Sequence, residues 1–225
     1  MRLLTYNIHG CVGRDGRDVP ERVLRVISEI NADVIALQEV DDDREGRYFL
    51  SELRKMDYAS MIYAPTMVKP TGHYGNLLMT RNKAERVEQH VISVGGLEPR
   101  GLIAATTASV IGRSRIAATH LGLRTSERRQ QWRKLLTLSQ PLAGENIVVL
   151  MGDFNEWLPF GRYLRHAERT FGCVSRLRTF PVRWPLFALD RIFVFGRTSH
   201  VEFTVPRVTN YREASDHLPL VADLR

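Results

Sequence analysis

Short apolar runs of strand length, each closing on a polar side chain, recur along this chain and constrain its fold more than any other feature. Five consecutive apolar residues, Ile147 to Met151, lead through a glycine to Asp153 and Asn155. The same design appears in "RLLTYNIHG", "ADVIALQEV", "RIAATHL", "FALDRIFV" and "SDHLPLVADL". Runs this short and this rich in Val, Ile and Leu predict buried strands rather than helices. Further strand-like stretches fall at 58–64, 74–80, 85–93, 101–110 and 200–205, and alternation in the middle of the chain predicts hairpins. Helical spacing is rarer. Asp18 and Glu21 form a capping box for a helix carrying Val19, Val23, Val26, Ile27 and Ile30, and further helices are expected over 47–56 and about 126–140. Many strands and three or four helices, with no repeat or linker, predict one α/β domain over 1–225: two packed mixed β-sheets flanked by helices.

The residues that close these runs carry the functional reading. Asn7, His9, Gln38, Glu39, His120, Asp153, Asn155, Asp190, Asp216 and His217 each have an ordinary explanation alone. Asn and Asp cap turns, a Glu after a strand is commonly a loop residue, and a core histidine is commonly hydrogen-bonded. Taken together they would place many polar groups at the ends of buried strands, where burial without partners is costly. Gathering them at one edge of the sheets around a cation removes that cost. Carboxylates, carboxamides and imidazoles without a thiolate favour Mg²⁺, with Mn²⁺ as a substitute, over zinc. Cys11 and Cys173 stand far apart and outside any CxxC pair, as expected of reduced thiols. A hard cation, amide donors, an imidazole and arginines are the equipment for hydrolysing a phosphate ester.

Charge points to an anionic partner without choosing one. The net charge is +7, divided as −1 over residues 1–100 and +8 over the remainder, and only four of the 32 basic residues are lysine. A genome that favours arginine codons explains this as well as a nucleic-acid face does, so nucleic acid and phospholipid head groups both stay open. "DDDRE" (41–45) reads as a solvated loop, or else as aspartates that discourage polyanionic substrates. "RTFPVRWPLFALD" (178–190) reads as core packing with turn prolines, or else as a rim where Arg183, Trp184 and Phe187 meet the substrate. No apolar run approaches the roughly 20 residues of a membrane span. "MRLLTYNIHG" lacks the features of a signal peptide, so a cytoplasmic location is expected, and no protein partner is indicated.

In this order the motifs "TYNIHG", "LQEV", "GDFNE" and "SDHLPL" resemble the endonuclease/exonuclease/phosphatase superfamily, above all its small bacterial members of unassigned substrate. The resemblance spans nearly the whole chain and implies a four-layer α/β sandwich, deoxyribonuclease I-like, and a metal-dependent phosphodiesterase or phosphatase. A nuclease is the alternative, and a non-catalytic scaffold on the same fold a third. It implies Glu39, Asn7 and Asp216 as metal residues for one ion in place of two, since His9 stands where repair enzymes carry an aspartate. Asp153 would orient and deprotonate water, Asn155 would hold the scissile phosphate, and His217, kept in place by Asp190, would contact a phosphate oxygen. His120 is similar to a histidine of secreted deoxyribonucleases, sphingomyelinases and many phosphatases, and is expected to serve as general acid or phosphate ligand. Asn76 resembles a phosphate-contacting asparagine. His9, His73, Arg124, Arg183 and Trp184 are the expected substrate rim.

Overall fold

Alternate residues along the strands point to opposite faces, and that alternation sorts the apolar side chains into three clusters. In β1 (Arg2–Asn7) Leu4 and Tyr6 join one cluster and Leu3 another; in β8 (Ile147–Asp153) Ile147, Val149 and Met151 part in the same way from Val148 and Leu150. A computed structural model describes residues 1–158 and 161–225, the side chains of Arg44 and Glu45 excepted.

The first sheet runs β11 (Val201–Thr204), β12 (Leu220–Leu224), β1, β2 (Val34–Asp41), β4 (Gly72–Thr80) and β3 (Ser60–Lys69). The second runs β5 (Ala84–Val91), β6 (Gly101–Ser109), β7 (Gly112–His120), β8, β10 (Asp190–Gly196) and β9 (Cys173–Val174). Each sheet has one parallel pair at its centre, β1 with β2 and β7 with β8, and is otherwise antiparallel. Parallel neighbours need a crossover, and helices supply both: α1 (Pro20–Ile30) between β1 and β2, and α3 (Thr125–Leu138) between β7 and β8. The middle cluster, with Leu3, Ala36, Leu78, Ile116, Val149, Ile192 and Ala222, lies between the sheets. An outer cluster takes α1 and α2 (Arg44–Leu53) onto the first sheet, and another takes α3 and α4 (Arg162–Phe171) onto the second. The expected four-layer sandwich is what forms.

Local details depart from expectation. The cap of α1 is Val19, with no side-chain bond; Pro20 sits at the first helical position, its fixed φ starting the helix in place of the Asp18–Glu21 box. Asp18 instead bridges to Val12. The second helix begins at Arg44 and ends at Leu53, a few residues earlier than the 47–56 expected, because the Asp43 carboxylate caps it by accepting from Gly46 N at 2.9 Å. "DDDRE" is therefore no free loop: Asp41 ends β2 and Asp43 caps α2, while the side chains of Arg44 and Glu45 lie outside the described residues. α4 and β9 were not anticipated.

Candidate active site

Strand parity explains why the polar ends meet. Continuing the inward-facing series beyond Ile116 and Ala118 reaches His120; beyond Val149 and Met151 it reaches Asp153; before Ile192 and Val194 it reaches Asp190. Asn7 follows Leu3 on the inner face of β1. Glu39 breaks the rule, since Ile35 and Leu37 on its parity face the helices. A bulge between Leu37 and Val40, with Glu39 at φ +59°, turns its carboxylate back to the cluster. Gly152 allows the two central strands of the second sheet to close here: a Cβ on it would lie 1.9 Å from the Thr119 carbonyl oxygen.

The contacts form one network. Asn7 Nδ2 donates to Glu39 Oε1 at 2.9 Å and to Asp153 Oδ2 at 3.1 Å, tying the sheets together. Asp153 Oδ1 accepts from the backbone N–H of Asn155 at 2.9 Å. Strand alternation alone would put Asp153 and Asn155 on one face. In fact β8 ends at Asp153, and a tight turn with Asn155 at φ +50° brings the two together. Phe154 anchors that turn by stacking on Trp132 at 5.0 Å beneath α3. Asn155 Nδ2 donates to the Leu121 carbonyl at 2.8 Å and lies 3.1 Å from His120 Nε2.

The two histidines carry different protons. His217 Nδ1 lies 2.8 Å from Asp190 Oδ2, which also accepts from the Thr179 hydroxyl at 2.5 Å. Burial opposes an imidazolium there, but the charge and hydrogen bond of Asp190, joined by Asp153 and Asp216, outweigh it and push His217 up to about 10. His120 goes the other way, held well below the ordinary histidine range by burial and then by Arg100 and His217. Donors face both ring nitrogens, Arg100 Nη1 at 2.9 Å from Nδ1 and Asn155 Nδ2 at 3.1 Å from Nε2, and Nε2 also lies 3.5 Å from Asp153 Oδ2. Asp153 itself is fully buried, and burial lifts it to about 6 although His217 works against the rise.

Ligand atoms of Asp153, Asp190 and His217 all lie within 4.8 Å of one another, so this group could hold a metal ion. Asp216 is nearby but half-exposed, 3.9 Å from His9 Nδ1. The remaining expected residues are scattered. Asn76 is buried and donates to the Gly101 carbonyl at 3.4 Å, with no bond to the cluster. His73 is paired with Asp42 at 3.0 Å. Arg124 is exposed at the cap of α3, and Arg183 and Trp184 are exposed in a turn. Sequence reasoning missed Arg100, Tyr74, which hydrogen-bonds Glu39, Thr179, and Phe180, whose ring lies 4.7 Å from that of His217. Thr179 and Phe180 lie in the 178–190 stretch already singled out, and Ser215 opens the "SDHLPL" motif: its hydroxyl, two residues before His217, accepts from that residue's N–H and donates to the Asn7 carbonyl.

Two cavities flank the network. One, of about 480 Å³, includes Glu39 and His9 with Asp18, Asp41, Asp43 and Glu98. The other, of about 590 Å³, begins at Glu156 and Trp157, just past Asn155, and carries four arginines.

Residues 4–217 match the Endonuclease/Exonuclease/phosphatase family. The uncharacterized protein YbhP of Escherichia coli K12 is 30% identical over 247 aligned positions, covering 99% of this chain and 95% of YbhP. Among known structures, the human Nocturnin catalytic domain with bound sulfate superposes with a TM-score of 0.77 at 22% identity, covering 100% of this chain and 93% of that one. An endonuclease/exonuclease/phosphatase from Beutenbergia cavernae gives 0.76 at 23% identity, covering 100% and 71%.

Proposed function

The chain belongs to the endonuclease/exonuclease/phosphatase family, and from that premise we propose that it hydrolyses phosphate esters, diester or monoester, by attack of water on phosphorus beside one bound Mg²⁺ ion. One observation carries the reading: Asp153 Oδ2, buried between the sheets, is faced by Asn7, His120 and His217 within 3.8 Å. A carboxylate lifted to about 6 is a base matched to water activation near neutrality. Asp153 would orient the water and take its proton, and Asn155 would hold the scissile phosphate. The His217 imidazolium, kept by Asp190, would donate to the phosphate oxygen on which charge grows. Of the two parts the resemblance implies for His120, general acid or phosphate ligand, the second is favoured. With its charged form disfavoured by burial and by Arg100, it would meet phosphate as a neutral ring and has no spare proton for the leaving group.

Glu39, Asn7 and Asp216 would hold the cation. The set is oxygen-only, and the bulge at Glu39 turns a carboxylate toward the cluster at the cost of a left-handed backbone. Asp153, Asp190 and His217 suit the cation less well, because an imidazolium donates hydrogen bonds and cannot ligate a metal. When bound, the cation would polarise a P–O bond and offset developing charge.

The test is hydrolysis of an activated phosphodiester by metal-stripped protein. Turnover should be absent in excess chelator and return with Mg²⁺; undiminished activity in chelator would refute the proposal. A nuclease reading has the arginine-bearing cavity in its favour and the acidic cavity at Glu39 against it. DNA affinity that ignores ionic strength would remove the nuclease reading, since binding along many phosphates is strongly salt-dependent.

A further inference from the structure

Parity on β10 places Asp190 toward the catalytic network and the next residue, Arg191, on the opposite face with Phe193, under α4. Arg191 is only 3% exposed, a burial that arginine ordinarily reaches only with a carboxylate partner. Its Nη1 donates to the Ser175 carbonyl at 3.2 Å, its Nε has no partner, and no carboxylate lies within ion-pair distance of it among the described residues. The side chain lines the cavity of about 590 Å³.

The walls add to the imbalance. Arg165 and Arg178 line the same cavity, are exposed, and likewise have no ion pair among the described residues. The two carboxylates of the wall are already committed. Glu156 lies 3.2 Å from Arg128 Nε and accepts from Trp132 Nε1, and Glu168 is paired with Arg176 at 3.3 Å. A buried guanidinium without an ion-pair partner, held only at longer range by Glu168, Glu156 and Asp190 and backed by two exposed arginines, is the arrangement that grips the oxygens of a tetrahedral anion, often in pairs. Trp157 lines the cavity and packs edge-on against Phe180 at 5.7 Å, and Phe180 in turn covers His217. One aromatic layer therefore separates this cavity from the catalytic network.

We propose that this cavity is a phosphoryl-anion site, distinct from the catalytic phosphate position, that receives either a second, non-reacting phosphate of the substrate or free phosphate. The assignment rests on the cavity's own charges and stands apart from the hydrolytic reading.

The decisive measurement is calorimetric titration of metal-free wild-type protein with inorganic phosphate. Saturable binding should weaken about tenfold or more in Arg178→Gln and in Arg191→Gln, as expected for loss of one charge-assisted contact, and persist in Asn155→Ala. Arg165→Gln and Arg178→Gln alter exposed side chains only, so a folding defect in the Arg191 variant leaves the test intact. Absence of saturable binding would overturn the site, as would binding that ignores the arginine substitutions and disappears in Asn155→Ala. Kinetics then separate the sources. If Arg178→Gln raises KM only for an activated diester carrying a second phosphate, the occupant is the substrate's own phosphate. If KM is unchanged for both esters while the titration still depends on the arginines, the occupant is free phosphate. A protein that turns over neither ester sinks the hydrolytic reading and leaves the titration to decide the cavity.

Discussion

The two cavities beside the buried polar network are similar in size and opposite in charge. On the first sheet's side, five carboxylates (Asp18, Glu39, Asp41, Asp43 and Glu98) share the wall with Lys69 and His9; on the far side of β10, four arginines meet two carboxylates. Lys69 is already spent, bound to Asp41 at 2.5 Å with its ammonium 4.1 Å from the centre of the Tyr74 ring. One side therefore prefers cations and the other anions, and the Asn7–Asp153–His217 network sits between them. Such a field would orient an asymmetric ester, with its phosphorus-bound oxygens turned toward the metal side and any remote anionic group toward the arginines. A uniformly basic surface, which the net charge of +7 alone suggests, could not do this.

The harshest way to break the comparison is at its centre. Asp153→Asn and His217→Ala should each lower kcat about 100-fold or more in a steady-state assay, the usual consequence of losing a positioned base or a transition-state donor. Near-normal turnover from either would leave the two cavities flanking nothing. Next, Glu39→Gln should weaken Mg²⁺ binding by about 10- to 100-fold in calorimetry, in the range seen when metal-site residues are altered, while Arg178→Gln leaves it unchanged. Equal effects would mean that the sides are not electrostatically distinct.

A smaller effect concerns pH. His217 is lifted from 6.5 to about 10 in the fold, so the stability it contributes is complete below about pH 6.5 and drains away as pH rises toward 10. Thermal melts of metal-free wild-type protein across that window should show a decline that Asp190→Asn flattens; parallel curves would contradict the pairing. Smallest is the Arg100–His120 contact. Arg100→Gln removes a charge that lowers His120, so nuclear magnetic resonance titration should find the His120 pKa higher in the variant, and no movement would dissociate the pair.

Much of this was legible before any coordinates. The apolar runs locate most strands to within a few residues because inter-sheet packing makes the same demand that periodicity records, and Asn7, Glu39, His120, Asp153, Asn155, Asp190 and His217 do come together. α4 is hard to see in sequence: "RYLRHAERTF" carries so many basic residues that they mask the buried stripe of Leu164, Ala167 and Phe171. Arg100 gave no signal, since its partner is 20 residues away on another strand and its burial is a tertiary fact. The left-handed turns at Glu39 and Asn155 were equally silent, for the strain of a bulge is imposed by neighbouring strands and not by the residue itself. Asn76 and His73 bond elsewhere, to the Gly101 carbonyl and to Asp42, because being on a strand near the cluster does not aim a side chain into it.

The pairing of β1 with β12 bears on how the protein is made. Ser215 and Asn7, 208 positions apart, are joined by a hydrogen bond just ahead of that pairing, so one edge of β1 stays bare until β12 docks. A bare strand edge is a template for unwanted association. His217 reaches Asp190 only when the segment leading into β12 is in place. A chain clipped ahead of Ser215 would lose the His217–Asp190 pair and the cover on β1 in a single event.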